Sequence, residues 1–473
     1  MTAPDSPLLQ RAADLRQSVG GDYHDKLMEA IFTDAARIAD ESVARSGAPA
    51  RLSFDQRLDR ALTHPLFGFI AMGLMLLAVF WITIAGANVP SRLLSDLLLG
   101  TVYGWLHTAA AALGAPAWLS GLLIDGVYMA TVWVIAVMLP PMAIFFPLFT
   151  LLEDFGYLPR VAFNLDRLFA KAGAHGKQSL SMMMGYGCNA AGVISTRIID
   201  SPRERLIAIL TNNFSICNGR WPTLILMGTI FIGAAAPPAL ASAAAALSVM
   251  ATAVLGIVFT LLVSAFLSRT WLKGEASVYS LELPPYRPPQ ILRTLYTSIV
   301  DRTLIVLSRA VVMAAPAGAV IWLISNVTVG DASIAAHLVN LLNPLGLLIG
   351  LNGVILVAYI VAIPANEIVI PTILMLTLTV GRSAAGAQAG VMLELESAEV
   401  YTVLTQVGGW TLLTAVNLML FSLLHNPCST TLLTIYSETK SLKWTTVSAL
   451  LPLTLAFSVT FFTATVARLL GLV

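Results

Sequence analysis

Two cysteine motifs hold the side chains whose chemistry is most distinctive. Cys188 lies in Gly-Tyr-Gly-Cys-Asn, where glycines permit close backbone approach, and Cys217 lies in Ile-Cys-Asn-Gly-Arg. A thiolate is a soft ligand that suits a transition metal better than Na⁺ or Mg²⁺. A buried cysteine in an apolar helix is more often simply a small hydrophobic residue. The motifs therefore predict a metal site at Cys188, Asn189 and Cys217, with packing as the alternative.

The apolar segment around Cys188 differs from a plain membrane span. Residues 179–194 (SLSMMMGYGCNAAGVI) are rich in small residues and are interrupted by Gly185 and Gly187. Irregular backbone at membrane depth persists only where it is buried in protein or lines a wet cavity. We therefore place Gly185, Gly187 and Met184 on a transport pathway. Three consecutive methionines point in different directions on a helix, so most of them are expected to pack.

A second apolar segment is long enough to cross a membrane but is also broken. Residues 355–376 (ILVAYIVAIPANEIVIPTILML) contain Pro364 and Pro371 around Asn366 and Glu367. A carboxylate near mid-membrane costs about 2.5 to 3.5 kcal/mol, so it is retained mainly where it faces a cavity, a partner or an ion. We predict that Glu367 is a metal ligand and that Asn366 and Pro364 line the pathway. The alternative is that Glu367 caps backbone amides freed near Pro364.

The two broken segments lie in different halves of the chain. Such a pair is the usual sequence indication of a transporter's binding site. We expect two related halves, at about 125–235 and 305–425, that meet at this site. Cys428, in His-Asn-Pro-Cys-Ser, joins the predicted pathway. His425 could bind a metal together with Cys428, although a turn at a helix end explains both residues.

The composition is that of an integral membrane protein. Hydrophobic residues make up 57% of the 473 positions and charged residues 11%, and the mean hydropathy is +0.81. A soluble domain is nearer one quarter charged. A span needs about 20 mostly apolar residues. The predicted fold class is therefore an all-α, polytopic helical membrane protein with about eight transmembrane helices. The predicted spans are 66–88, 127–152, 206–232, 239–267, 304–326, 345–378, 400–424 and 445–470.

The N-terminal residues and the loops predict the orientation. Residues 1–60 read as a cytoplasmic segment with one soluble helix over 22–45, and 61–473 read as the transport domain. Lysine and arginine in short loops mark the cytoplasmic side, and their distribution around the first spans favours a cytoplasmic N-terminus. The net charge of +1 gives no basic face, so we expect no nucleic-acid partner.

The sequence contains no motif for nucleotide binding. A P-loop needs G-x-x-x-x-G-K-[ST] to cradle phosphates, and the two Gly/Lys pairs, Gly176-Lys177 and Lys273-Gly274, have the wrong neighbours. We therefore expect a transporter rather than an enzyme, with any nucleotide hydrolysis supplied by another polypeptide.

These motifs, in their order and spacing, resemble the ferrous iron transport protein B (FeoB) family from about residue 55 to the end. The stretches that carry the resemblance are LLEDFGYLPRVAFNLDRLF (151–169), GYGCNAAGVISTR (185–197), NNFSICNGRWP (212–222), LELPPYRPP (281–289), IPANEIVIPTILM (363–375) and NPCSTT (426–431). The resemblance implies two gate-type repeats with broken or re-entrant helices. It also implies passage of Fe²⁺ at Cys188 and Cys217, with Glu367 at the family's acidic position.

The resemblance also implies partners and a cellular location. FeoB proteins usually begin with a GTP-binding domain, whereas here only about 60 residues precede the first predicted span. We therefore expect either that the GTPase is a separate chain or that this is a paralogue that works without one. The expected partners are the lipid bilayer, Fe²⁺ as transported substrate, a small FeoA-like protein and further copies of the chain. No permanently bound cofactor is expected, and the bacterial inner membrane is the expected location.

Two other functions remain open at this point. The gate repeat also resembles segments of nucleoside transporters, so a permease for nucleosides or another small solute is an alternative in which the cysteines are incidental. A membrane scaffold that transports nothing and binds a soluble partner through residues 1–60 is the other. The ordered motifs favour iron over nucleosides, and the broken helices disfavour a scaffold.

Overall fold

The fold is almost entirely helical in the part of the chain that the structure describes. The computed structural model describes residues 11, 23–42, 54–64, 66–173, 176–273, 286, 290–330, 332–381 and 397–471. Within these ranges the strands are β1 (Thr328–Val329) and β2 (Ala332–Ser333), which pair antiparallel. The prediction of an all-α protein is confirmed. Of the stretch 281–289, only Tyr286 lies inside the described residues.

The first helices lead from the N-terminal segment into the apolar part of the chain. Two π-helical segments, Asp96–Val102 and Gly121–Tyr128, join neighbouring helices into continuous stretches of 46 and 38 residues. The helices are α1 (Tyr23–Ser42), α2 (Phe54–Leu62), α3 (Phe67–Ser95), α4 (Tyr103–Ala112), α5 (Ala117–Ser120) and α6 (Met129–Asp154).

The remaining helices follow one order twice, with one additional short helix, Ser397–Thr402, in the second half. A long helix is followed by a shorter helix, an interrupted helix, another helix that ends at a break, a short helix and a second long helix. In the first half these are α6, α7 (Tyr157–Lys171), α8 (Gln178–Gly187), α9 (Asn189–Ser195), α10 (Pro202–Thr211), α11 (Trp221–Met227) and α12 (Ala241–Arg269). The connecting helix α13 is Ile291–Thr297. In the second half they are α14 (Ile305–Asn326), α15 (Ile334–Leu348), α16 (Gly353–Val361), α17 (Val369–Gly381), α18 (Ser397–Thr402), α19 (Leu412–Leu424), α20 (Ser429–Thr439) and α21 (Leu442–Leu469).

The number of spans differs from the predicted one. Six described stretches are long and apolar enough to cross a membrane, or seven if α15 and α16, bent by 112°, form one span. The predicted count of about eight is therefore not confirmed. The predicted span 206–232 consists of α10 and α11 with a break at Cys217, and 345–378 is broken at Ala365. A hydropathy average does not register such breaks, so each of these segments was predicted from the sequence as one continuous span.

The outer helices bury small residues and expose large apolar ones, which is the reverse of the pattern in a soluble protein. On α12 the buried positions are mostly small residues such as Gly256, Thr260 and Ser264, whereas Leu262 and Phe266 are exposed. Helix α21 repeats this pattern. Small residues let helices pack closely in a bilayer, and large apolar side chains face lipid without cost. The buried apolar core, in contrast, gathers around the interrupted helices.

Candidate functional site

The first interrupted helix breaks at one residue, Cys188. Helix α8 ends at Gly187 and α9 begins at Asn189, and Cys188 between them is extended, with φ −153° and ψ 123°. A Cβ on Gly187 would lie 1.9 Å from a carbon of the Phe145 ring, so only glycine fits here. The Gly187 carbonyl accepts a hydrogen bond from the Asn218 amide (3.1 Å), which fastens this break to the turn after Cys217.

The second interrupted helix repeats this backbone. Ala365 lies between α16 and α17 with φ −152° and ψ 119°, and an asparagine, Asn366, follows it as Asn189 follows Cys188. Just before the break, the Ile363 carbonyl accepts a hydrogen bond from the Ser429 amide (2.8 Å) at the start of α20. Each half therefore ties its interrupted helix to a turn further along the same half.

The turn after α10 and the turn after α19 are joined by Arg220. This side chain is 1% exposed, and its guanidinium donates to the Asn213 carbonyl (2.8 Å) in the first half and to the Leu423 and His425 carbonyls (3.1 and 3.2 Å) in the second. Cys217, predicted inside a helix, instead lies in the irregular turn that precedes Arg220, which is why it can approach the second half.

Residues from all four breaks line one small cavity. Its volume is about 40 Å³, enough for one or two waters or an ion. All four predicted metal ligands line it, and so do four of the six predicted pathway residues; Gly185 and Met184 do not. The lining residues are Met138, Met142, Gly187, Cys188, Asn189, Cys217, Asn218, Gly219, Val306, Ala310, Pro364, Ala365, Asn366, Glu367, Cys428, Thr430 and Thr431.

Glu367 lies against Gly219 across the boundary between the halves. A Cβ on Gly219 would be 2.3 Å from Glu367 Oε1, so the carboxylate rests directly on the glycine. Glu367 forms no ion pair among the described residues, and its side chain bonds its own backbone amide. The capping alternative is thus limited to that one amide. The carboxylate is half-buried beside the cavity that also receives Cys188 and Cys217.

Two other side chains at the cavity were not singled out from the sequence. Thr430 is 4% exposed, and its hydroxyl, although buried at the cavity wall, has no hydrogen-bond partner in the part of the chain that the structure describes. Thr431 contacts the Cys428 sulfur through its hydroxyl at 3.2 Å. An unpartnered buried hydroxyl is costly, so Thr430 Oγ1 is available to a ligand. The only sequence signal was its place two residues after Cys428.

Asn366 connects the cavity to a buried histidine. Its side-chain amide lies between His425 Nε2, 3.1 Å from Oδ1, and Cys217 Sγ, 3.9 Å from Nδ2. His425 is 2% exposed, does not line the cavity and faces Asn366 rather than Cys428. It is therefore not placed to bind a metal together with Cys428, which was one interpretation of their spacing.

The donor groups suit a borderline cation held loosely. Among the described residues no group of three or more His, Cys, Asp and Glu side chains is arranged to hold a metal ion. Any ion in the cavity would need thiols together with amide, hydroxyl and carboxylate oxygens. Mixed sulfur and oxygen donors fit a first-row transition metal better than Na⁺ or Cu⁺.

Two family models match the chain. The model described as "Nucleoside recognition" (Gate) matches residues 135–231 and 307–442, which include both interrupted helices and the four breaks. The model described as "Ferrous iron transport protein B C terminus" matches residues 249–302, from within α12 to just before α14 begins at Ile305. No solved structure matches the chain significantly.

Several curated proteins are similar over most of this chain. "Fe(2+) transporter FeoB" of Staphylococcus aureus (strain MSSA476) is 30% identical over 421 residues, covering 86% of this chain and 58% of that protein. The Synechocystis protein of the same name is 28% identical over 443 residues, or 92% and 67%. A Porphyromonas gingivalis "Fe(2+) transport protein A/Fe(2+) transporter FeoB fusion protein" is 29% identical over 245 residues, or 52% and 27%. The chain thus spans a little over half the length of the S. aureus relative.

Proposed function

The chain belongs to the ferrous iron transport protein B family, and from that premise we propose that it carries Fe²⁺ across a membrane through the cavity at Cys188, Cys217 and Glu367. The family membership rests on the membrane region, because that is the part of the relatives that this chain spans. Its apolar helices make it a multi-pass membrane protein. The proposed direction is into the cytoplasm across a bacterial inner membrane, with a cytoplasmic N-terminus.

One observation supports the proposal most strongly. Four separate breaks in the helices place side chains that can bind a metal around one cavity. Two breaks bring Cys188 and Cys217 from the first half, and two bring Glu367 and Cys428 from the second. Interrupted helices with polar groups at their junction are the membrane solution for binding an ion at depth. A cavity of about 40 Å³ fits an ion with little water but not a nucleoside.

The partners follow from the relatives and from the sequence. The P. gingivalis relative is named as a fusion of Fe(2+) transport protein A with FeoB, so a small FeoA-like protein is a proposed partner here. A separate GTPase chain is a second proposed partner. A homo-oligomer is proposed as well. Fe²⁺ is substrate in this scheme, and no resident cofactor takes part.

The experiment is uptake into proteoliposomes that contain the purified full chain. Fe²⁺, Zn²⁺, Mn²⁺ and a radiolabelled nucleoside are offered separately under reducing conditions. We expect Fe²⁺ to accumulate and the nucleoside to stay outside. Cys188→Ser combined with Cys217→Ser, and separately Glu367→Gln, should each reduce Fe²⁺ uptake by about tenfold or more, as loss of metal-site groups does.

The matched control is Glu399→Gln, which removes an exposed carboxylate outside the cavity. Its uptake should equal that of the unaltered protein. Nucleoside uptake without metal uptake would replace the iron proposal by the permease alternative. Equal Fe²⁺ uptake by the cysteine variant and the control would remove the cavity from the pathway.

A further inference from the structure

The amide of Asn366 is held between a cavity thiol and a buried imidazole. Cys217 Sγ is 3.9 Å from one end of the amide and His425 Nε2 is 3.1 Å from the other. Asn366 is 6% exposed and His425 2%, so both side chains are shielded from bulk solvent. The imidazole is fixed in turn by Tyr359 and Phe421, whose ring centroids lie 4.7 and 6.2 Å from its own.

Counting protons on His425 decides which end of the amide faces it. His425 Nδ1 lies 2.9 Å from the Ser422 carbonyl, which can only accept, so Nδ1 carries the hydrogen. A second proton would place another buried positive charge beside Arg220, whose guanidinium already donates to the His425 carbonyl. Nε2 of the neutral ring is therefore an acceptor, and it needs an N–H opposite.

The amide of Asn366 meets this need in one orientation. Its oxygen and nitrogen ends have nearly the same shape, and the hydrogen-bond network determines which is where. The coordinates place Oδ1 at His425 and Nδ2 at Cys217, so this orientation exchanges the two ends of the amide. The NH₂ group then donates to His425 Nε2, and the oxygen faces Cys217, whose thiol can donate to it. Asn366 lines the cavity, so the same oxygen is presented to an ion there.

We propose that His425 is a positioning residue that holds the Asn366 amide oxygen toward the cavity as an oxygen ligand beside Cys217. This rests on the proposed transport of Fe²⁺ and adds to it the means by which an oxygen donor is kept in place. Without His425 the amide is free to turn its NH₂ group, which cannot bind a cation, into the cavity. Outer groups that orient a ligand typically matter by about 10- to 100-fold in metal affinity.

The test begins with two substitutions of His425 in the full chain. His425→Phe keeps the ring contacts with Tyr359 and Phe421 but removes the acceptor. His425→Gln supplies an amide oxygen that can accept from Asn366. In proteoliposomes we expect His425→Phe to raise KM for Fe²⁺ about tenfold or more, and His425→Gln to stay within about threefold of the unaltered protein.

A double-substitution cycle separates positioning from general damage to the fold. Asn366→Asp places an oxygen at both ends of the group, so its orientation no longer matters. In that background His425→Phe should change the ion's affinity by less than about twofold. The cycle is also read as Co²⁺ dissociation constants on the detergent-purified chain, so that it does not depend on transport.

Three results would overturn the proposal. One is the same fold-change for His425→Phe in both backgrounds, which is what a purely structural role produces. Another is an unchanged KM and Co²⁺ affinity in His425→Phe. The third is loss of Co²⁺ binding by Asn366→Asp, since that variant keeps the oxygen. If the unaltered protein moves no Fe²⁺, the proposed function fails, while the Co²⁺ cycle still decides the role of His425.

Discussion

Gly219 and Glu367 come from different halves of the chain and touch at the cavity. The space beside Glu367 Oε1 is so small that a Cβ on Gly219 would be 2.3 Å away, well inside van der Waals contact. Glycine here allows the carboxylate to approach closely, and a larger residue would push the carboxylate aside. Glu367 is the only carboxylate among the described residues that line the cavity, so this contact determines where that charge lies.

Gly219→Ala is expected to displace the Glu367 carboxylate and to lower the initial rate of Fe²⁺ uptake by about tenfold, because an ion ligand would be moved out of position. The control is Gly104→Ala on α4, where a Cβ would meet no atom within 4 Å. Uptake is measured in proteoliposomes at equal protein content. Equal rates for the two variants would show that the Glu367 position is irrelevant to transport.

At the residue level, the sequence identified site residues whose types are rare in apolar segments and missed those whose types are common there. Cys188, Cys217 and Glu367 were identified because thiols in small-residue motifs and an isolated carboxylate are rare in apolar segments. Thr430 belongs to a type that is common at helix ends, so nothing in its spacing distinguished it, and His425 was named only as a possible metal ligand together with Cys428. Their roles depend on which way each turn faces after a break, and that is set by tertiary contacts such as those of Arg220.

Helices α9 and α20 run side by side and form a unit around the cavity. Each begins beside a cavity cysteine, Cys188 or Cys428, and their far ends are joined by one carboxylate. Glu438 accepts from Arg197 (2.6 Å) and from Arg205 (2.8 Å), and its side chain is 5% exposed. The cluster therefore links the two halves at the end of α20.

Glu438→Gln should lower the free energy of unfolding by about 2 kcal/mol, because two charge-assisted hydrogen bonds lose their charged acceptor. The measurement is the thermal unfolding midpoint of the detergent-purified chain. Glu399→Gln, at an exposed carboxylate, is the control and should leave the midpoint unchanged. A midpoint for Glu438→Gln equal to that of the control would mean that the cluster does not hold the halves together.

Helix α2 is fastened to α7 by a second polar cluster outside the membrane spans. Asp59 accepts from the buried Arg160 side chain (2.9 Å) and from Tyr286 (2.8 Å), and Arg160 lies over the Tyr286 ring at 4.1 Å. Burial alone would raise the pKa of Asp59, but the hydrogen bonds from Arg160 and Tyr286 outweigh it and lower the pKa. Burial and the bond to Asp59 raise the pKa of Tyr286 to about 12, so Tyr286 remains a donor at neutral pH.

A pH dependence follows from the lowered pKa of Asp59. Its contribution to stability is complete above the unfolded value of about 3.9 and is lost as the pH falls through the lower folded value. The unfolding midpoint of Asp59→Asn should therefore lie below that of the unaltered protein at neutral pH, and the gap should close in acid. Asp200→Asn, at an ion pair whose carboxylate is 86% exposed, is the control with little effect at any pH. A gap that stays constant with pH would contradict this reason.

At the element level the long outer helices were predictable and the broken ones only in part. Uniform apolar runs predicted α12, α14 and α21 closely. The sequence also showed that the segments around Cys188 and Glu367 are irregular. It did not show the break at Cys217, because no proline or glycine lies just before that cysteine. Helix α10 ends at Thr211, and the irregular turn that contains Cys217 is held by tertiary bonds such as that from the Asn218 amide to the Gly187 carbonyl.

At the scale of the whole molecule, two halves of like helix order surround one cavity. The outer helices show lipid-facing apolar side chains and small inward residues, so they hold the assembly in the bilayer. The interrupted helices and the turns packed against them form the core. They direct three thiols (Cys188, Cys217 and Cys428) and one carboxylate, Glu367, to the place where the halves meet. The central claim is that Fe²⁺ passes through this place.

The most direct measurement is iron K-edge X-ray absorption on the purified full chain loaded anaerobically with one equivalent of Fe²⁺. We predict sulfur among the nearest neighbours of the iron, and less sulfur after Cys188→Ser or Cys217→Ser, while Glu399→Gln leaves the spectrum unchanged. A first shell of oxygen and nitrogen alone, identical in the unaltered protein and in both serine variants, would contradict the claim.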